Sequence, residues 1–152
     1  MSKHEVRVEW RVEGDFARNK YSRGHAWLFD GGVKVPASAS PDVVPVPLSK
    51  PDAVDPEEAF VASISSCHML WFLDFARRAG VSLESYRDDA VGVMTAGENG
   101  PWVSRVDLNV RMTFTGETPA IDLLEEIHHK AHKACFIANS VKTEIVTNLI
   151  DV

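Results

Sequence analysis

The sequence has 152 residues, of which 45% are hydrophobic, and it carries a formal net charge of −6 with a pI near 5.5. This length and apolar content predict a single globular domain over residues 1–152 with a core of its own. The acidic balance and the lack of a Lys/Arg-rich run argue against binding to nucleic acid or to an anionic membrane surface, because both need a basic patch. The charged start of the chain has no apolar run of the secretory type, so we expect a cytoplasmic protein.

The first third of the chain predicts strands followed by a loop. Residues 6–12 carry apolar side chains at every second position, as a half-buried strand does. Two further strands, 21–29 and 33–37, flank the sequence Asp-Gly-Gly at 30–32, whose glycines suit a tight hairpin turn. Residues 38–54 contain four prolines, which exclude a helix or a central strand, and a long loop of this kind is commonly a lid or a binding loop.

Residues 55–80 predict one long buried helix. Asp55 is a good N-cap, Pro56 suits the first helical position, Glu58 completes a capping box, and Gly80 can take the left-handed conformation just past the end. Apolar side chains cover nearly the whole circumference: Phe60, Val61, Ile64, Leu70, Trp71, Phe72, Leu73 and Phe75. Polar residues inside the helix argue against a membrane span. One small sheet cannot cover such a helix, so we expect a homodimer in which a second subunit buries the rest.

The second half of the chain predicts two strands, a helix and a last strand. The strands are 86–95 and 102–114, and the second alternates clearly between apolar and polar side chains. A helix starting at Thr118 as N-cap has an apolar stripe, Ile121, Leu124, Ile127, Ala131 and Cys135, with Glu126 and Lys130 pairing outside. Residues 141–150 are rich in β-branched side chains and close the chain as a strand. This order predicts an α+β fold with antiparallel sheets, a long central helix and a second helix.

The two cysteines are the first candidates for chemistry. Cys67 and Cys135 are each predicted to face the core, and a cysteine pair in a reducing compartment is more often catalytic, redox-active or metal-binding than structural. If the two helices pack together, the sulfurs can meet and cycle between dithiol and disulfide, which would allow reduction of a peroxide. The reactive thiolate needs a neighbouring cation, and Arg23 is the candidate. The alternative for Cys67 is a small buried apolar residue.

These residues resemble the OsmC/Ohr family of thiol-dependent hydroperoxide reductases (osmotically inducible protein C and organic hydroperoxide resistance proteins). The resemblance lies in Pro56 and Glu57 opening an apolar helix, in Cys67 ten residues after Glu57, and in Cys135 at the end of the second helix. It implies an OsmC-like domain without a cofactor that reduces organic hydroperoxides to alcohols. Cys67 would be the peroxidatic and Cys135 the resolving cysteine, with Glu57 and Arg23 holding the thiolate. The implied reductant is a dithiol of the lipoyl type.

Some residues depart from the family pattern. Phe136 follows Cys135 where proline is expected, and His68 follows Cys67. These differences concern the substrate pocket more than the thiol chemistry. Trp71, His68 and His25 are the candidate pocket residues. The alternatives are plain core packing for Trp71 and a buried, hydrogen-bonded role for each histidine.

Two other functions stay open. His128, His132 and Cys135 lie within one stripe of the second helix and, with Cys67, would form a two-His, two-Cys zinc site. The alternative for these histidines is a solvated helix edge. The other function is that of a non-catalytic module that binds a small apolar ligand.

Glu57 restricts the architecture of a peroxidase site. It precedes Cys67 by ten residues, which is about 15 Å along an unbroken helix. A role near the thiol requires either a break around residues 63–66 or a Glu57 that comes from a second subunit. We favour the second and predict an intertwined homodimer in which each pocket takes residues from both chains. Otherwise Glu57 only stabilises the helix dipole.

Overall fold

The computed structural model describes residues 1–151 and contains nine strands, two α-helices and a short 3-10 helix. The mixture of helices with largely antiparallel sheets confirms the predicted α+β class. The chain divides into two compact units, Met1–Ala59 and Phe60–Val152. The single domain and the homodimer therefore stay predictions.

The first unit contains a three-stranded antiparallel sheet and a small hairpin. The sheet has the order β1-β4-β5, with β1 at Val6–Glu9, β4 at His25–Phe29 and β5 at Lys34–Ala37. The hairpin pairs β2, Gly14–Asp15, with β3, Lys20–Tyr21.

The turn between β4 and β5 is the predicted one. The Phe29 amide donates to the Val33 carbonyl at 2.9 Å, and the Gly32 amide donates to the Phe29 carbonyl at 3.0 Å. Gly32 has a φ of +82°, a conformation that favours glycine. The proline-rich residues 38–54 form turns without helix or regular strand, which confirms the expected loop.

Two strand predictions in the first unit were wrong in detail. The strand expected over 6–12 ends at Glu9. The side chains on both faces of this strand are exposed, whereas one face was expected to be buried. The strand expected over 21–29 is divided between β3 and β4. It divides because the Arg23 amide leaves the ladder and donates to the Leu48 carbonyl at 2.7 Å.

Helix α1 runs from Pro56 to Arg78, and both of its predicted ends are confirmed. The Glu58 amide donates to Asp55 Oδ1 at 2.7 Å while the Asp55 amide donates to Glu58 Oε2 at 3.0 Å, which completes the capping box. At the other end Gly80 has a φ of +79° and the Val81 amide donates to the Ala76 carbonyl at 3.0 Å. Helix α1 is therefore continuous between these caps.

The burial of α1 differs from the prediction. Only one stripe with a spacing of four residues is fully buried: Ile64, His68, Phe72 and Ala76. The other faces of α1 are half-buried or exposed in the single chain, and Leu70 is 60% exposed. By length and composition alone α1 could cross a membrane. Core helices of soluble proteins meet the same criteria, and the buried stripe belongs to the core of the second unit.

The second unit is built on β8, Trp102–Phe114. Strands β6, Leu83–Asp88, and β7, Val91–Thr95, pair antiparallel with its two halves, so the strand predicted over 86–95 is in fact two. On the other edge β9, Glu144–Leu149, runs parallel to β8. The alternation predicted for β8 is confirmed, because Val106, Leu108 and Val110 are fully buried.

Helix α2, Ile121–Ala134, packs its apolar stripe into this core. Leu124, Ile127 and Ala131 are buried there, and Lys130 pairs with Glu126 at 2.6 Å as predicted. The predicted start at Thr118 was wrong. The N-cap is Ala120, without a side-chain hydrogen bond, and the amides of Leu123 and Leu124 both donate to its carbonyl.

Candidate functional site

The structure brings Cys67 and Cys135 together. Cys67 lies half-buried on α1, and Cys135 is the C-cap of α2, where the chain turns to extended backbone and the side chain is 1% exposed. The Cys67 thiol is a neighbour of the Cys135 thiol, and the Ala138 amide donates to Cys135 Sγ at 3.3 Å. Both cysteines are free thiols. The arrangement is that of a reduced dithiol.

The two thiols differ in their surroundings. Burial, and after it the adjacent Cys67 thiol, raises the pKa of Cys135 to about 11. Cys135 is therefore a protonated thiol at neutral pH. Cys67 is the more accessible of the pair, so a reagent from solvent meets Cys67 first.

Aromatic rings lie next to the dithiol. Trp71 follows Cys67 by four residues on α1, and its ring packs edge-on against Phe136 with centroids 5.5 Å apart. Trp71 also stacks on Phe75, with ring centroids 5.6 Å apart. Trp71 is thus half-buried in an aromatic cluster of the second unit, and its role in a substrate pocket stays a prediction.

A buried histidine pair links α1 to α2. His68 Nε2 and His128 Nδ1 are 2.9 Å apart and the rings are nearly parallel, at 10°. Burial, and then the charge of His132, lowers the pKa of His68 to about 4. Burial, and then His68, lowers the pKa of His128 to about 3. Both imidazoles are neutral at pH 7, and an N–H of one ring donates a hydrogen bond to the ring nitrogen of the other.

His128 was the residue that sequence reasoning misjudged. The predicted solvated edge is wrong for it, because the side chain is only 4% exposed and packs on Phe72 at 4.1 Å between ring centroids. Its position four residues after Leu124 on the apolar stripe was the signal. His68 likewise occupies the buried, hydrogen-bonded position that was its alternative to the pocket.

The zinc alternative does not fit the geometry. Within residues 1–151, no group of three or more His, Cys, Asp or Glu side chains is arranged to hold a metal ion. His128 Nδ1, one of the candidate ligand atoms, is already bonded to His68. His128 and His132 instead line a polar pocket of about 600 Å³ between α2 and β9, together with the exposed His129.

Arg23 lies in the first unit, in a pocket of about 400 Å³. The guanidinium donates to the Tyr21 carbonyl at 2.6 Å and to Asn19 Oδ1 at 2.5 Å, and it lies 3.7 Å above the centre of the Tyr21 ring. Trp10 and Phe16 complete the aromatic wall. These contacts hold the cation at the wall of an apolar pocket.

His25 lines the same pocket of the first unit. Its Nε2 accepts from Trp27 Nε1 at 3.1 Å, so the proton lies on Nδ1, which donates to the Arg23 carbonyl at 2.8 Å. The bond from Nδ1 fixes the backbone at Arg23. Its role toward a substrate stays a prediction.

Glu57 lies in the first turn of α1, where its neighbour Glu58 makes the capping contact. Because α1 is continuous, Glu57 is about 15 Å from Cys67 of the same chain along the helix axis. A break of the helix around residues 63–66 is therefore excluded in this structure.

Comparison with known proteins places these residues in a family. The family described as OsmC-like protein matches residues 49–150. An OsmC-like protein of unknown function from Vibrio cholerae has 51% sequence identity and a TM-score of 0.95, with 99% of this chain and 100% of that chain covered. No curated protein matches the sequence.

More distant structures share the fold. An organic hydroperoxide resistance protein OsmC from Legionella pneumophila is 19% identical with a TM-score of 0.68, covering 98% of this chain and 96% of that one. The organic hydroperoxide resistance protein OhrB of Bacillus subtilis is 15% identical with a TM-score of 0.69, covering 98% of each chain. The family match over residues 49–150 and the close Vibrio relative lead to one conclusion: this chain belongs to the OsmC-like family.

Proposed function

We propose that this protein is a thiol-dependent hydroperoxide reductase that converts organic hydroperoxides to alcohols. The observation that carries the proposal is that the half-buried Cys67 thiol lies beside the buried Cys135 thiol. Membership of the OsmC-like family supports it, as does the shared fold with two organic hydroperoxide resistance proteins.

The chemistry needs two steps at this dithiol. The Cys67 thiolate attacks the outer oxygen of the hydroperoxide, so that an S–O bond forms, the O–O bond breaks, and the alkoxide leaves and takes a proton. Cys135 then attacks the Cys67 sulfenic acid, a disulfide forms, and the hydroxyl leaves as water with the Cys135 proton. An external dithiol, which we propose to be of the lipoyl type, reduces the disulfide by exchange.

Supporting roles are assigned to residues of the first unit. Arg23 and Glu57 are proposed to hold the thiolate, as the family resemblance implies. The reaction is proposed to occur in the cytoplasm, in a homodimer.

One experiment tests the proposal directly. One equivalent of an organic hydroperoxide, added to reduced protein, is expected to produce an intramolecular Cys67–Cys135 disulfide, seen as a loss of two hydrogens and a cross-linked peptide by mass spectrometry. Cys67→Ser should abolish turnover. Cys135→Ser should consume the first equivalent and leave Cys67 as sulfenic acid, which a dimedone probe detects. Two titratable thiols remaining after treatment would refute the proposal.

The apolar pocket around Arg23 favours a second candidate, a binding module for a small apolar ligand. Under that function an apolar ligand would raise the melting temperature, and hydroperoxide would consume no thiol. Thiol loss therefore separates the two functions.

A further inference from the structure

Phe136 is held in a position that core packing does not explain. It directly follows Cys135, and the residue is 68% exposed to solvent. The ring is nevertheless fixed against Trp71 with an interplanar angle of 86°, while Trp71 stacks on Phe75 at 26°. We call Trp71, Phe75 and Phe136 the aromatic row.

The aromatic row has members on α1, which carries Cys67, and on the turn after α2, directly beyond Cys135. On α1, Trp71 is four residues after Cys67, so both side chains project from the same face one turn apart. On the other side, Phe136 is bonded to the residue whose sulfur contacts Cys67. Cys135 is buried and Cys67 is half-buried, so a molecule from solvent reaches the dithiol at Cys67. The large aromatic side chains nearest to this point along the two segments are Trp71 and Phe136.

We propose that the aromatic row is a specificity-determining surface that binds the organic group of the hydroperoxide and favours aryl over small alkyl groups. This inference rests on the proposed function and deepens it. An aryl group can add a further edge-on or offset contact to the exposed face of Phe136, whereas a small alkyl group has only its contact area to offer. The bonds that form and break at Cys67 are those of the peroxidase reaction above.

The test compares two hydroperoxides in a single turnover. Reduced protein is mixed with cumene hydroperoxide or with tert-butyl hydroperoxide, and the rate of thiol loss is measured for each. In Phe136→Leu, which keeps an apolar side chain without the ring, the aryl-to-alkyl rate ratio should fall about three- to tenfold. Phe136→Tyr keeps the ring and should keep the ratio. Phe29→Leu makes the same change at an exposed position of the first unit and should also keep it.

The outcomes separate the inference from the function on which it rests. If wild type loses thiols but the ratio is unchanged in Phe136→Leu, the aromatic row does not select the substrate, and the peroxidase proposal stands. If neither hydroperoxide consumes thiol in wild type, the proposed function is wrong and the inference falls with it. Circular dichroism and the melting temperature establish that each variant is folded. If Phe136→Leu is unfolded, Phe136→Met takes its place, and the same fall in the aryl-to-alkyl rate ratio is expected.

Discussion

At the scale of single residues, the two thiols of the dithiol differ in a way that would set the order of steps in the proposed reaction. The pKa of Cys135, raised to about 11 by burial and by Cys67, leaves far less than one in a thousand of these thiols ionised at pH 7. Cys135 therefore cannot compete for hydroperoxide. In the proposed reaction it would react after the sulfenic acid forms beside it, and its proton would leave with the departing water. The same protonation would protect the proposed resolving thiol from direct oxidation.

The arginine of the first unit is the next residue whose role can be measured. Arg23→Ala is expected to slow thiol oxidation by hydroperoxide about tenfold at neutral pH and to recover part of the rate at alkaline pH, because loss of a cation lowers the thiolate fraction. Stopped-flow rates between pH 6 and pH 10 provide the measurement.

Two further variants make the test of Arg23 specific. Arg23→Lys keeps the charge but loses the planar group that bonds Tyr21 and Asn19, so its rate should lie between wild type and Arg23→Ala. Arg18→Ala removes an exposed arginine from the same hairpin region, one that pairs with Asp15, and should leave the profile unchanged. If Arg23→Ala has the same pH dependence of thiol oxidation as wild type, a cation other than Arg23 stabilises the thiolate.

At the scale of elements, local signals explain which boundaries could be predicted. Helix α1 begins where expected because Asp55 and Glu58 cap it through contacts three residues apart. Strand β8 could be predicted because apolar and polar side chains alternate along it. The start of α2 could not be read from Thr118 and Pro119, since no side chain caps the helix and its first carbonyl acceptor is that of Ala120. A helix start without a capping side chain has no recognisable sequence signal.

The candidate site could be predicted in part for a related reason. Each cysteine was identifiable by type, but their contact depends on the packing of two helices that are far apart in sequence. His128 shows the limit most clearly. Its spacing fits the buried stripe, but its burial in a neutral state depends on a partner, His68, that lies 60 residues earlier.

The histidine pair is expected to make the α1–α2 contact sensitive to acid. Unfolded, both histidines have pKa values near 6.5, whereas burial lowers the folded values to about 4 for His68 and about 3 for His128. As the pH falls below about 6.5, the unfolded chain takes up protons that the folded chain does not, so stability is lost down to the folded pKa values. The expected loss between pH 7 and pH 5 is about 2 kcal/mol per histidine.

Urea unfolding at pH 7 and pH 5 measures this loss. His128→Gln can keep a hydrogen bond to His68 and has one titrating group fewer, so its pH-dependent loss should be about half that of wild type. His129→Gln, an exposed histidine on the same helix, should behave like wild type. An equal loss in His128→Gln and wild type would show that the pair is not the acid-sensitive element.

At the scale of the whole molecule, the exposed apolar surface is the feature that one chain leaves unexplained. Val6 and Val8 of β1 are 55% and 60% exposed, and Trp10, which follows the strand, is 41% exposed. Apolar and polar side chains do alternate along residues 6–12, but in the single chain the apolar face of this segment is exposed. Leu70 on α1 is exposed as well. Large apolar side chains at such density are typical of surfaces that a partner covers, which favours the expected homodimer.

A homodimer also resolves the position of Glu57. Helix α1 is continuous from Pro56 to Arg78, so Glu57 and Cys67 of one chain stay about 15 Å apart along its axis. If Glu57 acts at the dithiol, it must do so at the Cys67 of a second chain. Each pocket would then contain a cysteine pair from one chain and a carboxylate from the other.

Mixing inactive variants tests this shared pocket. Cys67→Ser and Glu57→Ala, unfolded and refolded together at equal concentration, should regain about a quarter of wild-type activity, because half of the dimers are mixed and each of these has one intact pocket. Cys67→Ser refolded with the double variant Cys67→Ser/Glu57→Ala supplies no intact pocket and should stay inactive. Native mass spectrometry establishes that mixed dimers form. If they form without any activity, Glu57 does not act at the cysteine of the opposite chain, and its function is limited to the first turn of α1, where a carboxylate stabilises the helix dipole.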